Sequence, residues 1–263
     1  MEASYQKPPI IQRTFTIWFE LKDELFYGRL PIFEREILKQ LPVKGSRQNW
    51  ALNFKSNNGK PDFSTIKPNV EIVRVFSKKD ENGKKFFSIE LEENRISFTL
   101  SRTSNSAYTF NDLNFEVKQS ISIFLRTLSP DKVGRFDLDY INLISRANTP
   151  DFVDENDGHI HVERILNIFN KFSTEYESII PPYDCKVGLI LDKSENYNGI
   201  IRVMGQQGKI HDASAIRVDL HVYHNLDSIE IGESMFEKKL EVLHYYVLKL
   251  FHDTFTEEAK KAF

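Results

Sequence analysis

Cysteine is almost missing from this chain. Cys185 is the only one in 263 residues, which excludes an intramolecular disulfide and any zinc site built from several thiolates. It stands beside a strand-like run, Cys185 to Leu191, where a small residue suits the fold. No run approaches the roughly 18 apolar residues of a membrane-crossing helix. The opening MEASYQKPPIIQ has neither the basic start nor the apolar core of a secretory signal, so a soluble, cytoplasmic protein is expected. Excess charge of one sign is absent too. Lys and Arg number 35 against 38 Asp and Glu, a formal net charge of -3, which argues against a surface given over to nucleic acid and leaves room for a local basic patch.

Several chemical signatures are also missing. There is no G-x-x-x-x-G-K-[ST], no G-x-G-x-x-G after a strand, no G-x-S-x-G elbow and no H-E-x-x-H. This disfavours P-loop nucleotide hydrolysis, Rossmann cofactor use and the common hydrolase mechanisms, and no cofactor is implied. What remains is of ordinary globular composition, 40% hydrophobic and 28% charged, with 21 Phe against three Met. A core filled by aromatic rings follows.

The organising stretch is Gly134 to Arg146, GRFDLDYINLISR. In an extended chain Phe136, Leu138, Tyr140, Asn142 and Ile144 share one face and Arg135, Asp137, Asp139, Ile141 and Leu143 the other. Neither face is wholly polar, which predicts a central strand. Before it, Ile10 to Glu20 alternates as a first strand. Leu30 to Leu41 carries helical spacing, with Pro31 in the first turn. A short strand is expected over Gln48 to Lys55. Asn69 to Lys78 and Lys84 to Glu92 pair across Asn82-Gly83, and Arg95 to Arg102 follows. Thr109 with Asp112 resembles a capping box for a helix running to about Thr127.

After the centre come a helix over Val162 to Ser173, strands over Cys185 to Leu191, Gly199 to Gly205 and Ala215 to His224, and a long helix opened by a Ser234/Glu237 capping box. The fold class is therefore α+β, internally duplicated. Each half reads strand, helix, antiparallel meander, helix, with residues 1–130 and 131–263 as the halves and helices packed on the sheets.

A basic residue before FDLDYINLI, with its YIN stretch at Tyr140 to Asn142, and a terminal LHxxxxxxF helix, here Leu243, His244 and Phe251, resemble a sporadically distributed family of uncharacterised bacterial proteins of similar length. The family pattern has a basic residue where Asp139 stands, a departure in this chain. The resemblance implies no activity. Its patchy distribution resembles that of mobile cassettes such as phage-defence or toxin-antitoxin modules, which implies a partner-binding role by analogy.

Four groups of residues are candidates for chemistry. His159, His161 and Glu163 follow the acids Asp151, Asp154, Glu155 and Asp157. Alternating imidazoles with a carboxylate suit one transition metal, and hence a metal-dependent hydrolase or nuclease; the plainer reading is a loop entering an acid-favouring helix start. Asp137 and Asp139 have the spacing to share a divalent ion, although such pairs more often meet Lys or Arg on a neighbouring strand. Arg217, Asp219, His221 and Tyr223 share one face. Beside the central strand, Arg217 would pair with Asp137 or Asp139 and His221 would act as a base oriented by Asp219, with structural ion pairing preferred. Lys78, Lys79, Lys84 and Lys85, next to Phe86 and Phe87, form a basic hairpin able to touch phosphates, or a guard against edge aggregation.

The expectation is a non-enzymatic protein that binds another macromolecule, a protein partner or a second copy of itself, through a sheet face, an edge or the last helix. Arg217, Tyr223 and Asp139 are its expected contact residues. Metal-dependent hydrolysis and nucleic-acid binding are the alternatives, and no membrane contact is expected.

Overall fold

The computed structural model describes residues 9–57, 60–102, 109–145, 149–152, 160–167, 184–206, 215–226 and 232–263, excluding the side chains of residues 50–70 and of residue 163. The elements are β1 (Ile10–Glu20), α1 (Asp23–Ile37), β2 (Val43–Asn57), β3 (Lys60–Lys79), β4 (Lys85–Leu91), β5 (Arg95–Arg102), α2 (Phe110–Thr127) and β6 (Lys132–Ser145). A single 3-10 turn, Pro150–Phe152, precedes α3 (Val162–Ile165), β7 (Asp184–Asp192), β8 (Tyr197–Gln206), β9 (Ala215–Asn225), α4 (Glu233–Thr254) and α5 (Glu257–Ala262). The fold is mixed α+β.

The nine strands among the described residues join one sheet in the order β2-β3-β4-β5-β1-β6-β9-β8-β7, and every pairing is antiparallel. The alternation in β6 is realised: Phe136, Leu138, Tyr140, Asn142 and Ile144 are all buried, and the strand lies between β1 and β9. Strand β9 buries Ile216, Val218, Leu220 and Val222 on the same side. Aromatic rings knit this apolar side together. Phe15 stacks on Phe136 with centroids 5.9 Å apart and on Phe98 at 6.3 Å. Three helices each add a ring: Phe33 of α1 meets Phe76 at 5.7 Å, Phe124 of α2 meets Phe19 at 5.2 Å, and Phe236 of α4 meets Phe136 at 5.4 Å. Burying each ring removes enough apolar surface to stabilise the fold by about 1.5–3 kcal/mol.

Three helices depart from the sequence pattern. Helix α1 begins at Asp23, not Leu30, so Pro31 lies in its interior. Proline there removes a hydrogen bond to the Tyr27 carbonyl, but Tyr27 is 51% exposed, and the stripe of Phe26, Leu30, Phe33 and Ile37 holds the helix on the core. Helix α3 stops at Ile165, because Leu166 turns extended and bridges Phe255. Residues 168–173 of that expected helix lie outside the described residues. Helix α4 starts at Glu233 after an extended Gly232 with no side-chain cap, so the Ser234/Glu237 box does not form; Glu237 instead pairs with Lys118 of α2 at 3.1 Å. At α2 the Thr109 backbone N–H does donate to Asp112, at 2.6 Å. In the β3–β4 hairpin Gly83 takes a φ of 65°, the left-handed turn conformation that the Asn82-Gly83 pair favours.

Thr256 ties α5 to α3. Its Oγ1 accepts from the Ala259 N–H at 3.0 Å, capping α5, while its hydroxyl is also bonded to the Arg164 carbonyl. Thr256→Ala should lower stability by about 1–2 kcal/mol in urea unfolding, the usual worth of an N-cap. Among the described residues no helix is long and apolar enough to cross a membrane.

Candidate functional site

The second face of the sheet is made by the other half of each alternation, and its centre is polar. Register places Thr99, Thr14, Asp139 and His221 in one row across β5, β1, β6 and β9, and Ser97, Thr16, Asp137 and Tyr223 in the next. A third row holds Arg95, Trp18 and Arg135. Among the described residues no hydrogen bond, ion pair or ring contact joins a helix to these rows. The hydroxyls bond across strands, Thr14 to Thr99 at 3.1 Å and Thr16 to Ser97 at 3.0 Å, and they form a floor of small side chains.

Arg135 is the hub of the larger groups. Its Nε donates to Asp137 Oδ1 at 2.5 Å, and Trp18 Nε1 donates to Asp137 Oδ2 at 2.5 Å. Arg135 Nη2 lies 3.2 Å from His221 Nε2, and His221 Nδ1 lies 2.5 Å from Asp139 Oδ1. A guanidinium only donates, so Nε2 accepts; the imidazole proton of the neutral ring then sits on Nδ1 and is given to Asp139. The planar groups also stack. The Arg95 guanidinium carbon is 5.1 Å from the Trp18 ring centre, and that of Arg135 is 5.9 Å from Trp18 and 4.2 Å from Tyr223. The result is a ladder of Arg95, Trp18, Arg135 and Tyr223 drawn from four strands.

Burial and charge act against each other here. Asp137 is 4% exposed, and desolvation raises its pKa despite the bonds from Arg135 and Trp18. For His221 burial pulls the pKa down, but the Asp139 hydrogen bond and the charges of Asp139 and Asp137 outweigh it, so the net shift is upward. In the neutral ring the Nε2 lone pair accepts from Arg135, so a proton reaches that atom only as Arg135 Nη2 gives way.

The expected site residues fall into place unevenly. Strand β9 does lie beside β6, but Arg217 pairs within its own strand, with Asp219 at 2.7 Å. It therefore does not reach Asp137 or Asp139, and the acid that orients His221 is Asp139, its register partner. Residues i and i+2 of one strand lie on the same face, which lets the flexible Arg217 fold onto Asp219. Tyr223 and Asp139 both belong to the polar face. Lys78 and Lys85 of the basic hairpin lie against α2, paired with Glu116 at 2.7 Å and Asp112 at 2.8 Å. They line a cavity of about 380 Å³ with Phe87 and Phe115; Lys79 and Lys84 remain on the surface side. His159 and the Glu163 side chain lie outside the described residues, and His161 precedes α3. Among the described residues no three His, Cys, Asp or Glu side chains are placed to hold a metal ion. Asp137 and Asp139 are instead engaged by Arg135, Trp18 and His221.

Sequence reasoning gave Trp18, Arg95 and Arg135 no role in a site. The available signal was a tryptophan on the polar side of an alternating strand. The two motif pieces at Tyr140 and His244 meet on the apolar side instead, where Tyr140 Oη and His244 Nδ1 are 2.7 Å apart and His244 stacks on Phe110 at 3.7 Å. Comparison with protein-family models and with curated proteins gave no match.

Proposed function

We propose that this is a non-enzymatic binding protein of the bacterial cytoplasm whose contact surface is the polar sheet face and whose partner is a protein. One observation carries the reading: the centre of that face is a ladder of Trp, Tyr and Arg, the residue types that dominate the energetics of protein interfaces, and five arginines of the face already hold carboxylates. Arg47 pairs with Glu90 at 2.6 Å, Arg95 with Glu92, Arg135 with Asp137 at 2.5 Å, Arg202 with Asp184 and Arg217 with Asp219 at 2.7 Å. A polyanion gains its affinity by replacing counterions on unpaired cations. Five arginines each holding a carboxylate favour a partner of balanced charge.

The halves of the chain are, in this reading, duplicated units with their helices on the far side of the sheet. Support comes from strand order: the last strand of each meander lies beside the first strand of its half, β5 beside β1 and β9 beside β6. The bacterial resemblance suggests the setting, an accessory or partner component of a mobile defence or toxin-antitoxin module, with self-association using the same face.

The test is affinity capture from the native host, with Trp18→Ala and Arg135→Ala beside a control, Phe115→Ala, on the exposed side of α2. The captured chain should bind the parent and the control alike and bind either face variant at least 30-fold more weakly, the loss of an interface anchor worth about 2 kcal/mol. The variants must keep the parent's far-UV circular dichroism. Capture lost with the control and kept by both face variants, or salt-sensitive retention of the parent on heparin, would refute the reading.

A further inference from the structure

We infer that His221 is a proton-operated latch on Arg135, so that the Trp18–Arg135–Tyr223 ladder takes one arrangement when the imidazole is neutral and another when it is charged. In the neutral form Nδ1–H is given to Asp139 and Nε2 accepts from Arg135 Nη2 across 3.2 Å. A second proton goes to Nε2, the only remaining ring nitrogen. That atom then confronts a guanidinium N–H, donor against donor, and its nearest carboxylate oxygen is Asp137 Oδ1 at 4.0 Å. Asp137 already accepts from Arg135 Nε and Trp18 Nε1. Charging the ring therefore expels Arg135 Nη2 and draws on the same carboxylate that fixes the indole.

The surroundings make this a local event. On β6 the groups facing His221 are Arg135, Asp137 and Asp139. On its own strand they are Asp219, held by Arg217, and Tyr223, whose ring centre is 5.4 Å away. On β8 its register partner is Ile200, with Arg202 one step along and paired to Asp184. No described helix residue bonds to it. Burial opposes the proton, and Arg135 adds to that, but the Asp139 hydrogen bond and charge, with Asp137 behind them, outweigh both, so the transition falls above the ordinary imidazole value of about 6.5. That Arg135 position controls partner affinity rests on the function proposed above; the latch itself does not.

Trp18 is one of two tryptophans, and Trp50→Phe leaves its indole as the sole reporter. In that background Trp18 emission should titrate once between pH 5 and 9, with a midpoint above about 6.5. His221→Gln should abolish the transition, and Asp139→Asn should move it to lower pH, all three proteins keeping the same far-UV circular dichroism. A parent without a transition, or His221→Gln titrating like the parent, would overturn the latch. The latch would be supported, and the contact role refuted, if the transition were present while Trp18→Ala left capture intact. Capture that needs Trp18, with no transition, would leave the contact role and remove the latch.

Discussion

Between pH 6 and 4.5 the protein should lose up to about 2.7 kcal/mol of stability per pH unit, because two histidines are folded where they cannot readily take a proton, each worth about 1.4 kcal/mol per unit. His244 is 9% exposed, hydrogen-bonded to Tyr140 and stacked on Phe110. Burial, helped by the charge of Arg13, pushes its pKa down to about 3. His224 is 6% exposed, stacks on Tyr197 at 4.3 Å, and is brought to about 4 by burial and the Lys239 charge. Both folded values lie below the unfolded value of about 6.5, so the unfolded chain binds more protons below that pH. The stability they confer is fully present above 6.5 and drains away as pH falls toward 4 and then 3. His221 has the opposite sign. Its folded value is raised, so its contribution is complete below 6.5, where it adds no slope, and fades as pH rises through the folded value. Urea midpoints at half-unit intervals of pH would measure the slope. His244→Gln, which can still bond to Tyr140, should halve it to about 1.4 kcal/mol per unit; an unchanged slope would remove buried His244 as a cause.

The second large effect lies in the aromatic seam. Phe15 is fully buried and stacks on rings from both neighbouring strands, Phe98 of β5 and Phe136 of β6. Phe15→Ala should cost about 3–5 kcal/mol in urea unfolding, because the lost transfer energy is joined by that of an unfilled hole between two strands. Phe115→Ala, at a ring 58% exposed on α2, should change stability by less than about 0.5 kcal/mol. Equal losses at the two positions would mean that the seam at the centre of the sheet contributes no more than a surface ring.

The difference between those two phenylalanines was readable without coordinates, since Phe15 sits in strict alternation. The same period placed β1 and β5 at their observed bounds and separated the two faces of β6. Helix ends were harder. Pro31 reads as a first-turn residue only if local preference decides, and here tertiary burial of Phe26 and Leu30 extends the helix past it. Ser234 and Glu237 have the right spacing for a box, yet Glu237 gains a partner in Lys118, which no local rule can see. The site was half legible for the same reason. Alternation groups Arg217, Asp219, His221 and Tyr223 on one face, but their partners depend on register between strands far apart in the chain. A slip of two residues would set His221 opposite Asp137 or Ile141 in place of Asp139. The ladder is a product of register alone, for Arg95, Trp18, Arg135 and Tyr223 stand on four strands and share no motif.

The outermost strand offers a practical opening. Strand β7 carries Cys185, an exposed thiol and the sole sulfhydryl of the chain, at the rim of the sheet and on the side opposite the ladder. A maleimide dye or nitroxide attached there would mark one defined spot without further mutagenesis. Such a label would report tumbling and distance to a bound molecule while leaving the ladder chemically untouched.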